Sequence, residues 1–294
     1  MAERKKNAEG NDEEWYTVRF SDDRKSILSA SGIAGDYVIP ADATEISEGA
    51  FEYSTELKSV LIPDSVRKIG SGAFRGCEGL KRIALPLGLE EIRNDVFTGC
   101  TALEEIAIPE GVELIGEKAF GGCAALKSVK LPSTLKRIGK GAFMGCSALK
   151  SIDIPAGVVS IGVQAFRYCS ALESVIIPKA IVEMKDGVFN WCKVLSNIEL
   201  PAGLRSIGAH SFHGCLSLKS LVLPDSVRSI GENAFADCPQ MQSIVIPTAA
   251  FIAPEEMYLQ WIGVDILQRS SVVDTETPAR KKIVLKSLAD SNLS

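Results

Sequence analysis

The 294-residue sequence has only two histidines, few aromatic residues (6%) and no run of 18 apolar residues. Without such a run, no membrane-spanning helix is predicted. The formal net charge of −5 argues against a dedicated nucleic-acid binder, because such a protein needs a basic face. We therefore expect no nucleic-acid partner and no insertion into a membrane.

Motifs for nucleotide binding and catalysis are also absent. The sequence contains neither G-x-x-x-x-G-K-[ST] nor G-x-S-x-G, which are the signatures of a P-loop and of a nucleophile elbow. Gly70-Ser71-Gly72 and Gly139-Lys140-Gly141 are similar to part of a phosphate-binding loop, but the third glycine is misplaced. His210 and His213 could in principle share a metal ion, yet the sequence places no cysteine or acid as a partner ligand, and we interpret them as surface residues. We expect no catalytic residue, no cofactor and no metal.

The compartment is predicted from the first residues. Residues 1–10 are mostly polar and charged, and no apolar run follows them, so the sequence shows no secretory signal. We expect a cytoplasmic protein if this is the native full-length chain. A cell-surface or secreted protein is the alternative if a signal peptide has been removed.

One pattern, repeated at constant spacing, dominates the chain. Ten prolines recur every 23 residues from Pro40 to Pro247, and phenylalanines recur at the same interval from Phe51 to Phe235. A fixed period of 20–50 residues indicates a solenoid, a propeller or a repeat array. The pattern runs from Tyr37 to Pro247 without insertion or deletion, which makes nine repeats.

Each repeat has three parts. Segments such as Leu103–Pro109 alternate apolar and polar residues, which predicts a short strand that ends at the proline, since proline has no N–H to donate. Segments such as Val66–Gly70 predict a second short strand. Segments such as Gly141–Cys146 suggest one helical turn that places Phe143 in the core. Stacked phenylalanines would then form a continuous spine.

All eight cysteines occupy a single position of the repeat. Parallel strands lie about 4.8 Å apart, but their parallel side chains point the wrong way for a disulfide. No C-x-x-C pair suggests a zinc site. We therefore expect a buried ladder of free thiols that act as small apolar residues: Cys77, Cys100, Cys123, Cys146, Cys169, Cys192, Cys215 and Cys238.

The ends of the chain leave the pattern. Residues 254–262 predict a helix that either caps the solenoid or docks a partner, and residues 280–285 either add a strand or stay loose, with a solvated tail as our expectation. The predicted organisation is a disordered tail (1–14), a β-hairpin cap (15–36), the solenoid (37–247) and a C-terminal cap and tail (248–294).

The repeat C-x-x-L-x-x-I-x-I-P-x-x-V-x-x-I-G-x-x-A-F-x-G resembles the leucine-rich repeats of the BspA-like class, also called the Treponema-type. Its proline stands where other leucine-rich repeats carry an asparagine ladder. The resemblance implies a right-handed, curved leucine-rich repeat solenoid. It would be mainly β, with parallel β ladders, one short helical turn per repeat and a sheet on the concave side. It also implies a bacterial or protist protein that binds other macromolecules, often as a surface adhesin.

The position two before each proline, called the outward row below, is predicted to face solvent although several of its residues are apolar. A sheet face of small and apolar residues is a plausible docking surface. Alternatively, any tightly curved strand ladder tolerates small and apolar residues at this position, without a role in binding. The outward row contains Val38, Leu61, Ala84, Ala107, Lys130, Asp153, Ile176, Glu199, Val222 and Val245. From it we select five candidate partner-binding residues: Lys130, Asp153, Ile176, Glu199 and Val222.

A second candidate surface comes from the residue before each cysteine. This residue is glycine in five repeats but aromatic at Tyr53, Tyr168 and Trp191. Tyr168 and Trp191 fall in adjacent repeats beside Arg167, and Trp, Tyr and Arg dominate binding hot spots. The aromatic residues either pack over a wider edge of the solenoid or form part of a partner site.

These observations together predict a non-catalytic protein–protein interaction module that acts as a monomer on a protein partner of unknown identity. Two classes of function remain open. The resemblance favours a cell-surface adhesion protein, whereas the N-terminus and the free thiols favour a cytoplasmic interaction scaffold. An enzyme is a distant alternative.

Overall fold

The computed structural model describes residues 2–6, 15–250, 270–274 and 280–285. The repeats stack into a parallel β-solenoid with two strand ladders. Strands of neighbouring repeats pair 23 residues apart, as in Glu105 with Ser128 and Ile115 with Ile138. Each side chain therefore lies beside its counterpart in the next repeat, and the predicted repeat solenoid with parallel β ladders is confirmed.

The N-terminal region forms an antiparallel sheet that joins the solenoid. It consists of β1 (Ala2–Lys6), β2 (Trp15–Phe20) and β3 (Ser26–Ser31), with β2 paired to both others. The predicted hairpin is thus present as β2 and β3. The expected disordered tail over residues 1–14 differs from the structure at Ala2–Lys6, because the open edge of β2 offers backbone groups with which a further strand can pair. Residues 7–14 lie outside the described residues.

The first ladder contains the strands that lead to the prolines, and an isolated bridge from Ser151 to Ser174 continues it through the sixth repeat. Alternate residues of its strands are buried, as the period of a β-strand requires. Its strands are β4 (Gly35–Val38), β6 (Leu57–Leu61), β8 (Arg82–Ala84), β10 (Glu105–Ala107), β12 (Ser128–Lys130), β15 (Ser174–Ile176), β17 (Asn197–Glu199), β19 (Ser220–Val222) and β21 (Ser243–Pro247).

The second ladder contains two-residue strands whose last residue is buried. Its first strand pairs in parallel with β3, which connects the N-terminal sheet to the solenoid. Its strands are β5 (Glu45–Ile46), β7 (Lys68–Ile69), β9 (Glu91–Ile92), β11 (Leu114–Ile115), β13 (Arg137–Ile138), β14 (Ser160–Ile161), β16 (Glu183–Met184), β18 (Ser206–Ile207) and β20 (Ser229–Ile230).

The phenylalanine segments form a third face, called the turn face below, which is made of consecutive turns. Helix content is minimal: across the described ranges, the one helical segment is a 3₁₀ helix at Thr248–Ala250. The prediction of one helical turn per repeat is therefore wrong. Two positions in each segment adopt positive φ, for example Gly72 (62°) and Gly76 (68°), whereas an α-helix needs φ near −60° throughout. The N–H of Phe74 instead donates to the carbonyl of Val96 in the next repeat, 2.9 Å away.

The core is a stack of nine phenylalanine rings, which confirms the predicted spine. Neighbouring rings from Phe51 to Phe235 are stacked, with centroids 5.1 to 5.8 Å apart, and all nine are buried. Phe120 and Phe143 illustrate the geometry, with centroids 5.3 Å apart and planes only 3° from parallel. Leucine, isoleucine and valine from both ladders pack around this stack.

All eight cysteines are free thiols, as expected from the parallel ladder. Seven are buried and Cys238 is half-buried. Burial raises the pKa of the Cys123 thiol to about 12, because a thiolate is poorly solvated in the core.

The C-terminal end of the first ladder is covered by two more strands. β22 (Ser270–Asp274) pairs with β23 (Arg280–Leu285), and β23 pairs antiparallel with β21. The expectation of a solvated tail over residues 280–285 is therefore wrong: β23 hydrogen-bonds the last edge of the ladder, which would otherwise expose unpaired backbone groups. The helix predicted over residues 254–262 lies outside the described residues.

Candidate functional site

The outward row faces solvent, because the residues on either side of it in each strand point into the core. Four of its large apolar members, among them Leu61 (58%) and Ile176 (62%), are more than half exposed, whereas Val245, which pairs with β23, is half-buried. Lys130, Asp153 and Glu199 are also exposed. The first ladder thus presents a fixed line of side chains, one from each repeat.

A broad hollow of about 1260 Å³ lies over β6, β8, β10 and β12. Leu61, Ala84 and Ala107 of the outward row line it, together with Leu87, which is 72% exposed. The apolar part of this hollow therefore comes from the second, third and fourth repeats.

Charged side chains of both signs line the same hollow. Lys130 and Asp153 are among them, together with Arg82, Glu105 and Glu110. The backbone N–H and the hydroxyl of Ser133 donate to the Glu110 carboxylate at 3.1 and 2.9 Å, and these hydrogen bonds lower the pKa of Glu110. The hollow therefore has a carboxyl group with a lowered pKa beside its apolar floor.

Of the five candidates chosen from the outward row, Lys130 and Asp153 line the hollow. Ile176, Glu199 and Val222 continue the same row beyond it. The selection missed Leu87, although a signal was present: the residue after the proline is polar in several other repeats, as at Asp64 and Glu110. Leu87 is held in place because its N–H donates to the Asp64 carboxylate at 3.1 Å.

The remaining candidates lie on the turn face, away from the first ladder. Tyr168 and Trp191 adopt positive φ (62° and 59°) in a row where Gly145 and Gly214 do the same. Positive φ costs glycine nothing, but it strains a bulky residue. The structure thus divides the sequence-predicted residues between two separate surfaces.

Close contacts hold the aromatic residues of the turn face. The Nη2 of Arg167 donates to the Tyr168 hydroxyl at 3.0 Å, and its guanidinium lies 4.6 Å from the centre of the Tyr168 ring. The Trp191 indole covers Gly214, where an added Cβ would come within 2.7 Å of indole Cδ2. The indole also meets the His213 ring edge-to-face, with centroids 5.7 Å apart. Trp191 is half-buried and Tyr168 is exposed.

A small cleft of about 320 Å³ opens beside these residues. Arg167, Asn190 and His213 line it, together with Asp186 and Trp191. His210 also borders the cleft, with its ring 5.6 Å from that of His213. Within the described residues, no group of three or more histidine, cysteine, aspartate or glutamate side chains is placed to hold a metal ion.

The chain matches the model of the BspA type leucine-rich repeat region in six copies, over residues 35–150 and 137–260. The chain belongs to the BspA-type leucine-rich repeat family. No curated protein matches this BspA-type chain. Over the part of it that the structure describes, no helix is both long and apolar enough to cross a bilayer.

Solved structures of bacterial leucine-rich repeat proteins are similar to this BspA-type chain. A leucine-rich repeat protein of T. pallidum is 30% identical, with 68% of this chain and 86% of that one covered and a TM-score of 0.47. A leucine-rich cell surface protein of Faecalibacterium prausnitzii is 25% identical (88% and 92% covered, TM-score 0.46). A leucine-rich repeat protein of Bacteroides ovatus is 24% identical (80% and 88% covered, TM-score 0.38).

Proposed function

We propose that this chain is a non-catalytic module that binds a protein partner in the hollow over β6, β8, β10 and β12. The observation that carries the proposal is the pair of exposed leucines, Leu61 and Leu87, beside Ala84 and Ala107 on the floor of that hollow. An exposed apolar patch with a polar rim is typical of protein interaction sites. The partner would insert an apolar side chain between the two leucines.

Charged groups around the floor would set specificity. Arg82, Glu105, Lys130 and Asp153 surround the apolar floor with both signs of charge, and such an arrangement favours a partner of complementary charge. A larger partner would extend along the outward row to Ile176, Glu199 and Val222. Because strand pairing holds the row at constant register, little ordering is needed on this side of the interface.

The proposal includes a second contact surface at Arg167, Tyr168 and Trp191. These residues lie on the turn face and share no lining residue with the hollow. Arg167 contacts Tyr168 and lines one cleft with Trp191, and these three residue types match the composition of interaction hot spots.

The absence of catalysis is part of the proposal and is supported by the state of the thiols. Cys215 is the cysteine nearest in sequence to the two histidines, but its thiol is buried and donates to the carbonyl of Phe189 at 3.3 Å. Burial raises the pKa of Cys215 well above its ordinary value. A thiol with such a pKa is a poor nucleophile.

The proposal has two forms that differ in compartment: adhesion at the cell surface, and scaffolding in the cytoplasm. The free thiols do not distinguish the cell-surface form from the cytoplasmic form, because buried thiols are protected from oxidants on either side of a membrane. Protease treatment of intact producing cells, followed by mass spectrometry of the released peptides, separates the two. Release from intact cells supports adhesion, and protection until lysis supports the scaffold.

The hollow is tested by charge insertion. Leu87→Asp and Ala84→Asp are expected to weaken binding of a partner captured with the wild-type chain by about tenfold or more, about 1.4 kcal/mol. The matched control is Val159→Asp, since Val159 is 56% exposed but lies outside the hollow. Titration calorimetry gives the affinities. Unchanged affinity for both hollow variants, or equal loss in the control, would overturn the assignment.

A further inference from the structure

Three side chains at the same position of adjacent repeats each bury a polar atom that has no hydrogen-bond partner within the described chain. The atoms are Nε of Arg167, Oδ1 of Asn190 and Nδ1 of His213. These residues follow one another at 23-residue intervals and line one cleft. Buried polar atoms are nearly always paired, so three orphans at one place require an explanation.

The same position is satisfied internally elsewhere on the turn face. In the third repeat the hydroxyl of Thr98 contacts both the Asp95 carboxylate and the carbonyl of Lys118. The orphaned atoms are therefore confined to the sixth, seventh and eighth repeats and do not follow from the geometry of the repeat itself.

A second, independent observation falls on the same repeats. Tyr168 and Trp191 take a strained positive φ at a position where five repeats have glycine, and they are two of the three aromatic residues of this row that do so, the third being Tyr53. Strain of this kind concentrates at functional sites. Bulky aromatic rings are thus retained beside the orphaned polar atoms against the local preference of the backbone.

We propose that the cleft bordered by Arg167, Asn190, Trp191 and His213 binds a saccharide. Each hydroxyl of a sugar both donates and accepts a hydrogen bond, so adjacent hydroxyls match the donor Nε–H of Arg167 and the acceptor Oδ1 of Asn190. The flat C–H face of the ring lies against the electron-rich face of an aromatic side chain, here the exposed part of Trp191. The three orphaned atoms are buried but belong to half-buried side chains, so the proposal requires the last torsions of Arg167, Asn190 and His213 to turn these atoms into the cleft when the saccharide binds.

Other ligand classes fit the cleft less well. The Asp186 carboxylate lines it, and the Asp237 carboxylate lies 3.4 Å from Nε2 of His213, which disfavours an anion. The guanidinium of Arg167 disfavours a cation. An apolar ligand would leave the three orphaned atoms unpaired.

An extended peptide is also disfavoured, because the main chain here has no free edge. The N–H of Gly187 donates to Ala209 at 2.8 Å, and the N–H of Trp191 donates to His213 at 2.7 Å. Backbone pairing with an added strand is therefore blocked, and side chains must do the recognition.

This inference rests on the proposed role of Arg167, Tyr168 and Trp191 as a binding surface, but not on the hollow of the first ladder. Saturation-transfer NMR with the full chain tests it, using maltose, cellobiose, lactose and N,N′-diacetylchitobiose as probes. At least one disaccharide is expected to bind, with an affinity that Trp191→Gly reduces by about tenfold or more.

Trp191→Gly tests the site without disturbing the fold, because glycine is the usual residue before the cysteine of each repeat. The substitution relieves the backbone strain of a positive φ at position 191. Tyr53→Gly is the matched control, since Tyr53 has the same positive φ (59°) but lies outside the cleft. Binding that survives Tyr53→Gly and is lost in Trp191→Gly supports the proposal. No binding of any disaccharide, or equal loss in both variants, overturns it. Leu87→Asp, which tests the hollow, is expected to leave saccharide binding unchanged. Failure of protein binding in the hollow can therefore be distinguished from failure of saccharide binding in the cleft.

Discussion

The thiol of Cys146 donates a hydrogen bond to the main-chain carbonyl of Phe120 in the preceding repeat, with sulfur and oxygen 3.2 Å apart. The same bond recurs from Cys77, which contacts Phe51, to Cys238, which contacts Phe212. The thiol ladder therefore links each repeat to its neighbour, in addition to filling space beside the phenylalanine stack.

Replacement of Cys146 tests this link. Cys146→Ala is expected to lower the free energy of unfolding by about 1–3 kcal/mol, through loss of the hydrogen bond and a small cavity. Cys146→Ser keeps a donor of similar size, and Ser54 already occupies this position in the first repeat, so its cost is expected to be smaller. Guanidinium denaturation measures the free energy of unfolding of the wild type and of both variants. A serine variant less stable than the alanine variant would show that the thiol contributes only by burial.

The buried thiols also predict how stability depends on pH. Burial raises the pKa of Cys123 and Cys169 from 9.0 to about 12. Above pH 9 the unfolded chain loses thiol protons that the folded chain retains, so stability is expected to fall as pH rises from 9 towards 12. Below pH 9 both states are protonated and the thiols add no pH dependence. Denaturation curves at several pH values measure the fall, which should be smaller in Cys123→Ala than in wild type. An equal fall in both would contradict the assignment.

Loss of one ring from the phenylalanine stack should be costly. Phe143 lies between Phe120 and Phe166, with ring centroids 5.3 and 5.5 Å away. Phe143→Ala is expected to destabilise the chain by about 3–5 kcal/mol through lost burial and cavity formation. The exposed Val159→Ala serves as the control and should change stability little. A change below about 1 kcal/mol for Phe143→Ala would mean that the stack does not hold the core together.

Two glycines of the fifth repeat are expected to resist substitution for different reasons. Gly145 has a φ of 78°, whereas an added Cβ at Gly139 would come within 2.6 Å of the main chain of Gly116. Gly145→Ala should cost about 1–2 kcal/mol, and Gly145→Asn less, because asparagine tolerates positive φ. Gly139→Asn should be no better than Gly139→Ala, since the clash begins at Cβ. Urea denaturation of the four variants gives the comparison, and rescue by asparagine at both positions would contradict it.

Much of the fold was predictable from the sequence because the repeat has a constant length. The 23-residue interval from Pro109 to Pro132 requires parallel pairing in constant register, and alternation within Leu103–Pro109 identifies the buried residues. The interval also places every phenylalanine on one line. These features depend only on period and polarity, which the sequence displays directly.

The features that could not be predicted from the sequence depend on the packing of each repeat against the next one. A helical turn was expected at Gly141–Cys146, but positive φ at Gly141 and Gly145 makes it a series of turns. The bond from each thiol to a phenylalanine carbonyl requires knowledge of where that carbonyl points. The hollow over Leu61 and Leu87 arises from the relative placement of five repeats, which no single repeat encodes.

Likewise, the sequence identified the candidate residues by their chemical type, but it did not show how their side chains are arranged in space. The odd aromatic residues before cysteine, Tyr168 and Trp191, were visible as breaks in a glycine row. The orphaned atoms of Arg167, Asn190 and His213 were not, because a hydrogen bond that is missing cannot be seen until all neighbours are placed.

Site-specific photo-crosslinking in the producing cells tests the central claim most directly, with a photoreactive residue at Leu87 in one chain and at Val159 in another. Both positions are exposed, and only Leu87 lines the hollow. The account predicts a discrete protein adduct from position 87 that is absent from position 159 and is lost when Ala84→Asp is added. No adduct from position 87, or the same adducts from both positions, would contradict a partner site in the hollow.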